Sequence, residues 1–270
     1  MKLISICPSN TELLAYLGLI DQLIAIDDFS DWPEAVNTLP KLGPDLSIDM
    51  DKLETFKPDL VLASLSVPGM EKNIEELEKR QIPHLILDPQ SLGDIAEDLL
   101  TIGKACGIEE KAKIIATEFL SFIDEMKRRA ATVAETPTLY WEWWPKPIFT
   151  PGRINWLTEI SSISGGLNEF RDINLANVQT DWDDVLGRNP DYILLAWVGV
   201  RSDKVKKEVV LKRPGWTELA AIKNNRFPIM EEELYCRPSP RLLEGALKLG
   251  KMIHPKTFND LVLPTWVATI

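Results

Sequence analysis

The feature that most constrains this chain is a long amphipathic segment at residues 109–133. Its apolar residues recur at steps of three and four, and charged residues occupy the other face, a pattern typical of an α-helix. No glycine or proline interrupts the segment, and Thr136-Pro137 follows as a stop signal. At 1.5 Å per residue, the sequence predicts a helix roughly 37 Å long, the width of a small domain.

Short apolar runs alternate with helical patterns on both sides of this segment. Strands are predicted at residues 3–6, 23–26, 60–63, 84–87, 138–144, 192–195 and 226–230. Among the helices between them, one is predicted to open with a Ser9/Glu12 capping box, and a later one is predicted to be capped by Ser239. Alternation of strands and helices indicates an α/β fold with mostly parallel sheets.

The two halves of the chain share a repeat. Residues 49–59 align without gaps to residues 181–191, and both segments pass through a Pro-Asp pair into an apolar strand. Four identities support the alignment, and the shared order of helix, break and buried strand strengthens it. We therefore predict two Rossmann-like α/β lobes, residues 1–108 and 136–257, joined by one connecting helix at 109–135 and followed by a tail at 258–270.

Two facing lobes would place a cleft between them, because ligands of open parallel sheets bind beyond the carboxyl ends of the strands. A single continuous helix resists bending, since bending breaks its backbone hydrogen bonds. We therefore expect the lobes to move little when a ligand binds.

Composition and charge exclude several classes of protein. The chain is 45% hydrophobic, enough for a sizeable core, and its net charge of −11 argues against nucleic acid. No apolar run is long enough to predict a membrane span. No signal peptide is recognisable. We expect an extracytoplasmic protein (periplasmic or membrane-anchored) if a signal was removed, and a cytoplasmic protein otherwise. In either case a monomer is expected.

Residues suited to catalysis or metal binding are sparse. His84 lies in a strand pattern and His254 at a helix end, where structural roles are the simpler interpretation. Cys7, Cys106 and Cys236 have neither metal-ligand nor redox spacing, and no catalytic or phosphate-binding motif is recognisable. The sequence therefore predicts no enzyme, no metal site and no cofactor.

The aromatic residues carry more information. The chain has nine tryptophans, several of them at strand ends. Core packing is expected for Trp141, Trp156 and Trp216. Positions in loops or at strand ends favour ligand contact for five others, namely Phe29, Trp143, Trp144, Trp182 and Trp197. A wall of flat apolar rings suits a bulky, planar or macrocyclic ligand.

Several segments resemble one family in sequence and in order. They are Leu3 to Leu13 with its Pro8-Ser9-Asn10-Thr11-Glu12 motif, Phe29-Ser30-Asp31-Trp32-Pro33, residues 53–63, residues 147–152, Arg213-Pro214-Gly215-Trp216 and Ser239-Pro240-Arg241. Together they resemble the substrate-binding proteins of cobalamin and ferric-siderophore ABC importers, closest to the cobalamin branch. The resemblance implies two lobes on one rigid helix and a corrinoid ligand in a mostly aromatic cleft.

The resemblance also implies roles for individual residues. In the first lobe it places Pro8, Ser9 and Asn10 at the ligand with Phe29 close by. Ser64 and Leu65 stand where the cobalamin branch often has an aromatic residue. In the second lobe the implied ligand residues are Trp143, Trp144, Trp182, Trp197, Tyr235 and Arg237.

An ABC transporter permease is the implied partner. The family docks on it through one acidic residue on each lobe. Glu71 fits the first, while Asp203, Glu208 and Glu231 are all candidates for the second.

Three functions remain open from the sequence. The first is corrinoid binding, either for an ABC importer or in a cytoplasmic relative without a signal. The second is binding of a ferric siderophore or haem, which would need convergence of Arg153, Arg201 and Arg237, or an axial ligand such as Tyr235. The third is an enzyme acting on a corrinoid, which would need a paired acid and base.

Overall fold

The computed structural model describes residues 1–268, which form two compact units. Unit 1 contains Met1–Leu120, Pro238–Pro240 and the described residues from Pro264 to Ala268, whereas unit 2 contains Ser121–Arg237 and Arg241–Leu263. Within residues 1–268, none of the helices combines the length and the apolar character needed to cross a membrane.

Unit 1 is organised around a four-stranded parallel sheet in the order β2-β1-β3-β4. Its strands are β1 (Leu3–Ser5), β2 (Leu23–Ile26), β3 (Leu60–Ser64) and β4 (His84–Leu87). Its helices are α1 (Pro8–Tyr16), α2 (Met50–Thr55), α3 (Glu71–Lys79), α4 (Leu92–Ala105) and the first part of α5 (Glu109–Ala130). The apolar runs of the central strands are fully buried, as expected for a parallel sheet between helices.

Helix α5 is the long amphipathic helix predicted from the sequence. Its apolar face, with Ala112, Phe119 and Met126, is buried. It ends at Ala130 rather than at Val133, because the amides of Thr132 and Val133 bond three residues back in a tighter turn, with Val133 N–H donating to Ala130 O at 3.3 Å. The boundary between the units falls inside α5, after Leu120. The separate connector at 109–135, the cleft and the limited lobe motion stay predictions.

Unit 2 contains a parallel sheet in the order β10-β5-β8 and an antiparallel sheet in the order β6-β7-β9. Its strands are β5 (Thr138–Glu142), β6 (Trp144–Pro145), β7 (Ile148–Pro151), β8 (Leu167–Asn168), β9 (Asn177–Thr180) and β10 (Tyr192–Leu195). Its helices are the rest of α5, α6 (Trp156–Ile163), α7 (Trp182–Arg188), α8 (Lys207–Leu211), α9 (Ala220–Lys223), α10 (Glu232–Tyr235), α11 (Leu242–Ile253) and α12 (Pro255–Phe258). The predicted α/β fold with two lobes and mostly parallel sheets is confirmed.

The predicted repeat is visible in how its two helices begin and end. Asp49 caps α2 by accepting a hydrogen bond from a backbone N–H of the first turn, and Asp181 caps α7 in the same way. Both helices are followed by a residue with positive φ, 48° at Lys57 and 51° at Asn189, at aligned positions of the repeat. The repeat therefore encodes the same helix cap and the same exit turn in each unit.

The aspartates at the end of the repeat, Asp59 and Asp191, accept the same kind of hydrogen bond in both units. Asp59 accepts a hydrogen bond from Lys2 N–H at 2.6 Å, and Asp191 accepts one from Thr138 N–H at 2.8 Å. Lys2 and Thr138 stand at the starts of β1 and β5, which pair in parallel with β3 and β10. Each Pro-Asp break thus fixes the start of one parallel strand pair.

Three predicted features of the chain are wrong. The strand at residues 226–230 is reduced to a single bridge at Ile229, because Pro228 has no N–H to donate to a ladder. The predicted Ser9/Glu12 capping box and Ser239 cap are also absent: α1 begins after Cys7 with Pro8 in its first turn, and α11 begins after Arg241. Instead, Ser239 Oγ donates to Glu12 Oε2 at 2.5 Å inside unit 1.

The chain after Pro264 packs within unit 1. Helix α13 (Thr265–Ala268) places the Trp266 ring edge-on to Tyr16 at a centroid distance of 5.6 Å. Tyr16 in turn lies 5.3 Å from the Trp32 ring. Thr269 and Ile270, the last residues of the predicted tail, lie outside the described residues.

Candidate functional site

The predicted ligand loop of unit 1 forms the first turn of α1. Pro8, Ser9 and Asn10 are all buried there. Asn10 Nδ2 donates to Ala63 O at 3.0 Å, which ties the turn to β3, and Ser9 Oγ lies 3.2 Å from Cys7 Sγ. These side chains hold the shape of the turn, and their contact with a ligand stays a prediction.

Phe29 is the predicted aromatic ligand residue of unit 1, and 50% of its surface is exposed. Asp27 holds the loop that carries it, since Asp27 Oδ1 accepts from the backbone N–H groups of Phe29 and Ser30 at 2.7 and 2.9 Å. This pairing of a side chain with amides two and three residues on is a turn that aspartate favours. Unit 1 therefore presents Phe29 from a fixed loop.

Asp27 itself is buried in a cluster of hydroxyl groups. Ser30 Oγ donates to its carboxylate, and Thr11 Oγ1 lies 2.7 Å from Ser30 Oγ and 2.8 Å from Ser5 Oγ. Burial raises the pKa of Asp27 to about 6, although hydrogen bonds from Ser30 and from the backbone N–H groups of Phe29 and Ser30 act to lower it. No pattern in the sequence indicates this cluster, because its members come from three separate segments, namely β1, α1 and the loop after β2.

Trp143 and Trp144 differ sharply in exposure. Trp143 is only 8% exposed, packs 5.6 Å from the Trp156 ring, and has no hydrogen-bond partner for its Nε1 among residues 1–268. Trp144 lies on β6 with 42% of its surface exposed, and its Nε1 donates to Lys146 O at 3.1 Å. Of the two, Trp144 offers the ring surface to a ligand.

A buried carboxylate organises the aromatic residues of unit 2. Glu142, at the end of β5, accepts from Trp197 Nε1 at 3.1 Å, from Tyr140 OH at 3.0 Å, and from both terminal nitrogens of Arg213 at 2.5 and 2.9 Å. Burial, together with the Glu142 charge, raises the pKa of Tyr140 well above its usual value. Trp197 is 8% exposed, so it belongs largely to the core of unit 2.

Arg213 extends this network to Trp182. Its guanidinium lies 4.4 Å from the centre of the Trp216 ring and 5.9 Å from that of Trp182. Trp216 Nε1 also donates to Trp182 O at 3.1 Å. Trp182 opens α7 and keeps 37% of its surface exposed, so it presents a partly open ring on a rigid support.

The side chains of Tyr235 and Arg237 are less available to a ligand than the sequence predicts. Tyr235 is fully buried, its OH donates to Gly245 O at 2.9 Å, and burial raises its pKa well above the usual value. Arg237 Nε donates to Glu232 Oε2 at 3.1 Å. Tyr235 therefore presents no ring surface to a ligand, and the Arg237 guanidinium already has a carboxylate partner.

The acidic residues predicted for docking are all at the surface. Glu71, at the start of α3, accepts from Gly69 N–H at 2.8 Å, and bonds from the backbone N–H groups of Glu71 and Gly69 lower its pKa. Asp203 pairs with Arg201, and Glu231 pairs with Lys248. Glu208 is exposed and lacks a salt bridge among residues 1–268. Docking through any of these acidic residues stays a prediction.

Both histidines make local structural contacts. His84 Nδ1 lies 2.8 Å from Ile82 O, and His254 Nε2 lies 2.9 Å from Gly165 O. Over the part of the chain that the structure describes, no three His, Cys, Asp or Glu side chains are grouped to hold a metal ion.

Comparison with known proteins places the chain in a family. The family model described as periplasmic binding protein matches residues 3–234. The chain belongs to this periplasmic binding protein family. It is 32% identical over 269 residues to the uncharacterized ABC transporter substrate-binding lipoprotein YvrC of Bacillus subtilis, covering 96% of this chain and 82% of that protein.

Two further similarities bear on ligand and fold. The chain is 28% identical over 253 residues to a vitamin B12-binding protein of Pectobacterium atrosepticum, covering 92% of this chain and 86% of that protein. The structure of S. aureus IsdE complexed with heme matches with a TM-score of 0.83 at 17% identity, covering 94% of this chain and 98% of that one, and shows a shared fold alone.

Proposed function

We propose that the chain binds a corrinoid as the substrate-binding component of an ABC importer, outside the cytoplasm. The similarity to a vitamin B12-binding protein and to a substrate-binding lipoprotein supports this role. The observation that carries the choice of ligand is the set of exposed rings, Phe29 in unit 1 with Trp144 and Trp182 in unit 2. Flat apolar rings suit a large macrocycle, which can be held by contact area without ligation of its metal.

An anionic iron chelate fits the basic residues poorly. Arg153 donates to Arg171 O and Asp172 O, while Arg201 and Arg237 pair with Asp203 and Glu232. All three guanidinium groups predicted to meet a siderophore are thus engaged inside unit 2. The charges of Arg201 and Arg237 are thus already met by carboxylates, which favours a ligand that needs no such charges.

The candidate axial ligands are poorly placed to bind a haem iron. The ring of Tyr235 is buried, and both histidines are engaged with backbone carbonyls of their own units. A corrinoid brings its own axial groups and needs none from the protein. We therefore rank haem and ferric siderophores below a corrinoid.

The same role implies a permease partner and no catalysis. We propose that Glu71, and Glu208 in unit 2, meet basic residues of the permease. The relatives named above are binding proteins, which supports binding without chemistry. The most buried carboxylate of unit 2, Glu142, is already paired with Arg213, which leaves no free base there for a reaction.

Isothermal titration calorimetry of the full chain tests the proposal directly. Separate titrations with cyanocobalamin, haemin and a ferric hydroxamate siderophore should give a micromolar or tighter Kd for cyanocobalamin and at least about 100-fold weaker binding for the others, or about 2.7 kcal/mol. W182A should weaken cyanocobalamin binding about tenfold. Tighter binding of haemin or the siderophore would replace the proposed ligand, and no binding of any of the three would refute the role.

A further inference from the structure

The ion pair of Glu142 and Arg213 lies at the centre of unit 2, with side-chain exposures of 0% and 3%. Removing two charges from water is costly, and replacing a buried ion pair by apolar residues is often neutral or stabilising for a fold. A gain in folding stability therefore does not by itself explain why Glu142 and Arg213 are buried as a charged pair. The contact of Glu142 with the buried Trp197, and that of Arg213 with the exposed Trp182, point to a role at the ligand site.

The carboxylate of Glu142 fixes Trp197. An indole N–H can only donate, so its direction is set by the acceptor it meets. Here that acceptor is Glu142 Oε1, whose position is fixed in turn by Arg213 Nη2 at 2.9 Å. Because both oxygens of Glu142 accept hydrogen bonds, the carboxylate cannot rotate without losing a partner.

The guanidinium of Arg213 supports Trp182. It bonds the Glu142 carboxylate with both terminal nitrogens and lies 4.4 Å from the centre of the Trp216 ring and 5.9 Å from that of Trp182. Trp216 in turn holds the backbone of Trp182 through its indole N–H. A flat, delocalised cation can stack on rings while it bonds a carboxylate with both terminal nitrogens, which a lysine cannot do. One ion pair thus reaches the rings of both Trp182 and Trp197.

We infer that Glu142 and Arg213 are positioning residues for the ligand: they fix the rings of Trp182 and Trp197 before the ligand arrives. A ring that is already oriented loses less conformational entropy on binding, so the complex is tighter for the same contact area. The inference rests on the proposed function, because it assumes that the exposed ring of Trp182, supported by the buried Trp197–Glu142–Arg213 network, serves a bound corrinoid.

The double variant E142Q/R213M tests the inference. It removes both charges together, so that neither is left buried without a partner, and methionine keeps much of the arginine stem. R213K is the second variant, to be used if the first does not fold: it keeps the positive charge but removes the flat guanidinium. R188M is the matched control, since Arg188 also pairs with carboxylates and lies 4.1 Å over a ring, Phe170, that is not expected to touch the ligand.

Two measurements distinguish a positioning role of Glu142 and Arg213 from a role in folding alone. In calorimetry, the Kd for cyanocobalamin should be at least about tenfold higher in E142Q/R213M, severalfold higher in R213K and unchanged in R188M. These differences in Kd should not follow differences in stability, measured as the midpoint of urea unfolding. In the free protein, the indole ¹H–¹⁵N resonance of Trp197, assigned with W197F, should shift in E142Q/R213M and not in R188M.

An unchanged Kd in folded E142Q/R213M, or an unshifted Trp197 resonance, would overturn the positioning role. The proposed function fails differently, because there the wild-type protein itself does not bind cyanocobalamin. In that case the Trp197 resonance still decides whether the pair orients the ring.

Discussion

The effect of Asp98 on stability can be tested by replacing its partly buried carboxylate. Asp98 lies on α4 with one carboxylate oxygen, Oδ2, buried and without a hydrogen-bond partner among residues 1–268. Burial, followed by the negative charges of Asp94, Asp88 and Glu97, raises its pKa from 3.8 to about 7. The charged form is thus disfavoured by the folded state, and we predict that D98N stabilises the protein at alkaline pH.

The size and pH dependence of the effect follow from linkage. Because the pKa is higher in the folded than in the unfolded state, Asp98 lowers stability above pH 7, and this loss shrinks as the pH falls from about 7 toward 4. A difference of 3.2 pKa units corresponds to about 4 kcal/mol at most, and since the side chain is only partly buried we expect D98N to gain roughly 2 kcal/mol at pH 8. At pH 5 the gain should fall to less than half of that.

Urea unfolding followed by circular dichroism at pH 8 and pH 5 measures both quantities. E97Q is the matched control, because Glu97 is an exposed neighbour on the same helix, and its stability should change by less than about 0.5 kcal/mol at either pH. Destabilisation by D98N, or an equal gain at both pH values, would refute this account of Asp98.

Three further predictions concern the loop, the docking surface and the tail. F29A should weaken cyanocobalamin binding about tenfold in calorimetry while leaving the urea midpoint unchanged, and a Kd equal to wild type would remove Phe29 from the site. E71K should lower stimulation of the importer's ATPase without altering ligand affinity, whereas E75K on the same helix should do neither; equal effects would exclude Glu71 as a docking residue. W266A should destabilise unit 1 by roughly 1–3 kcal/mol through loss of the Tyr16 contact, and an unchanged Tm would show that the tail adds nothing to the fold.

The sequence predicted every strand of the two parallel sheets except the two-residue β8, because the signals of these strands are local. Buried strands of parallel sheet are short apolar runs, and the repeated Pro-Asp break marks where each run begins. The antiparallel sheet was missed, since β6, β7 and β9 are short, two of them contain proline, and none shows clear alternation. The predicted strand at 226–230 failed for a related reason, its proline at position 228.

The residues of the candidate site likewise include some that could be predicted from the sequence and some that could not. Aromatic residues at strand ends could be picked out by type and position, and Phe29, Trp144 and Trp182 are exposed in the structure. The Glu142–Arg213 pair could not be predicted, because its partners are 71 residues apart and meet only through the tertiary structure. Glu142 between two tryptophans and Arg213 in the Arg-Pro-Gly-Trp segment were the only sequence signals near it.

We propose that this chain holds a corrinoid against its exposed aromatic rings. A crystal structure of the protein with cyanocobalamin, phased near the cobalt absorption edge, tests it most directly, since the anomalous signal locates the metal independently of any model. We expect one cobalt peak, a corrin ring in van der Waals contact with Trp182 and Trp144, and no protein side chain bound to the metal. A cobalt ligated by a histidine, a corrin ring bound away from these tryptophans, or crystals without the cobalt peak would contradict it.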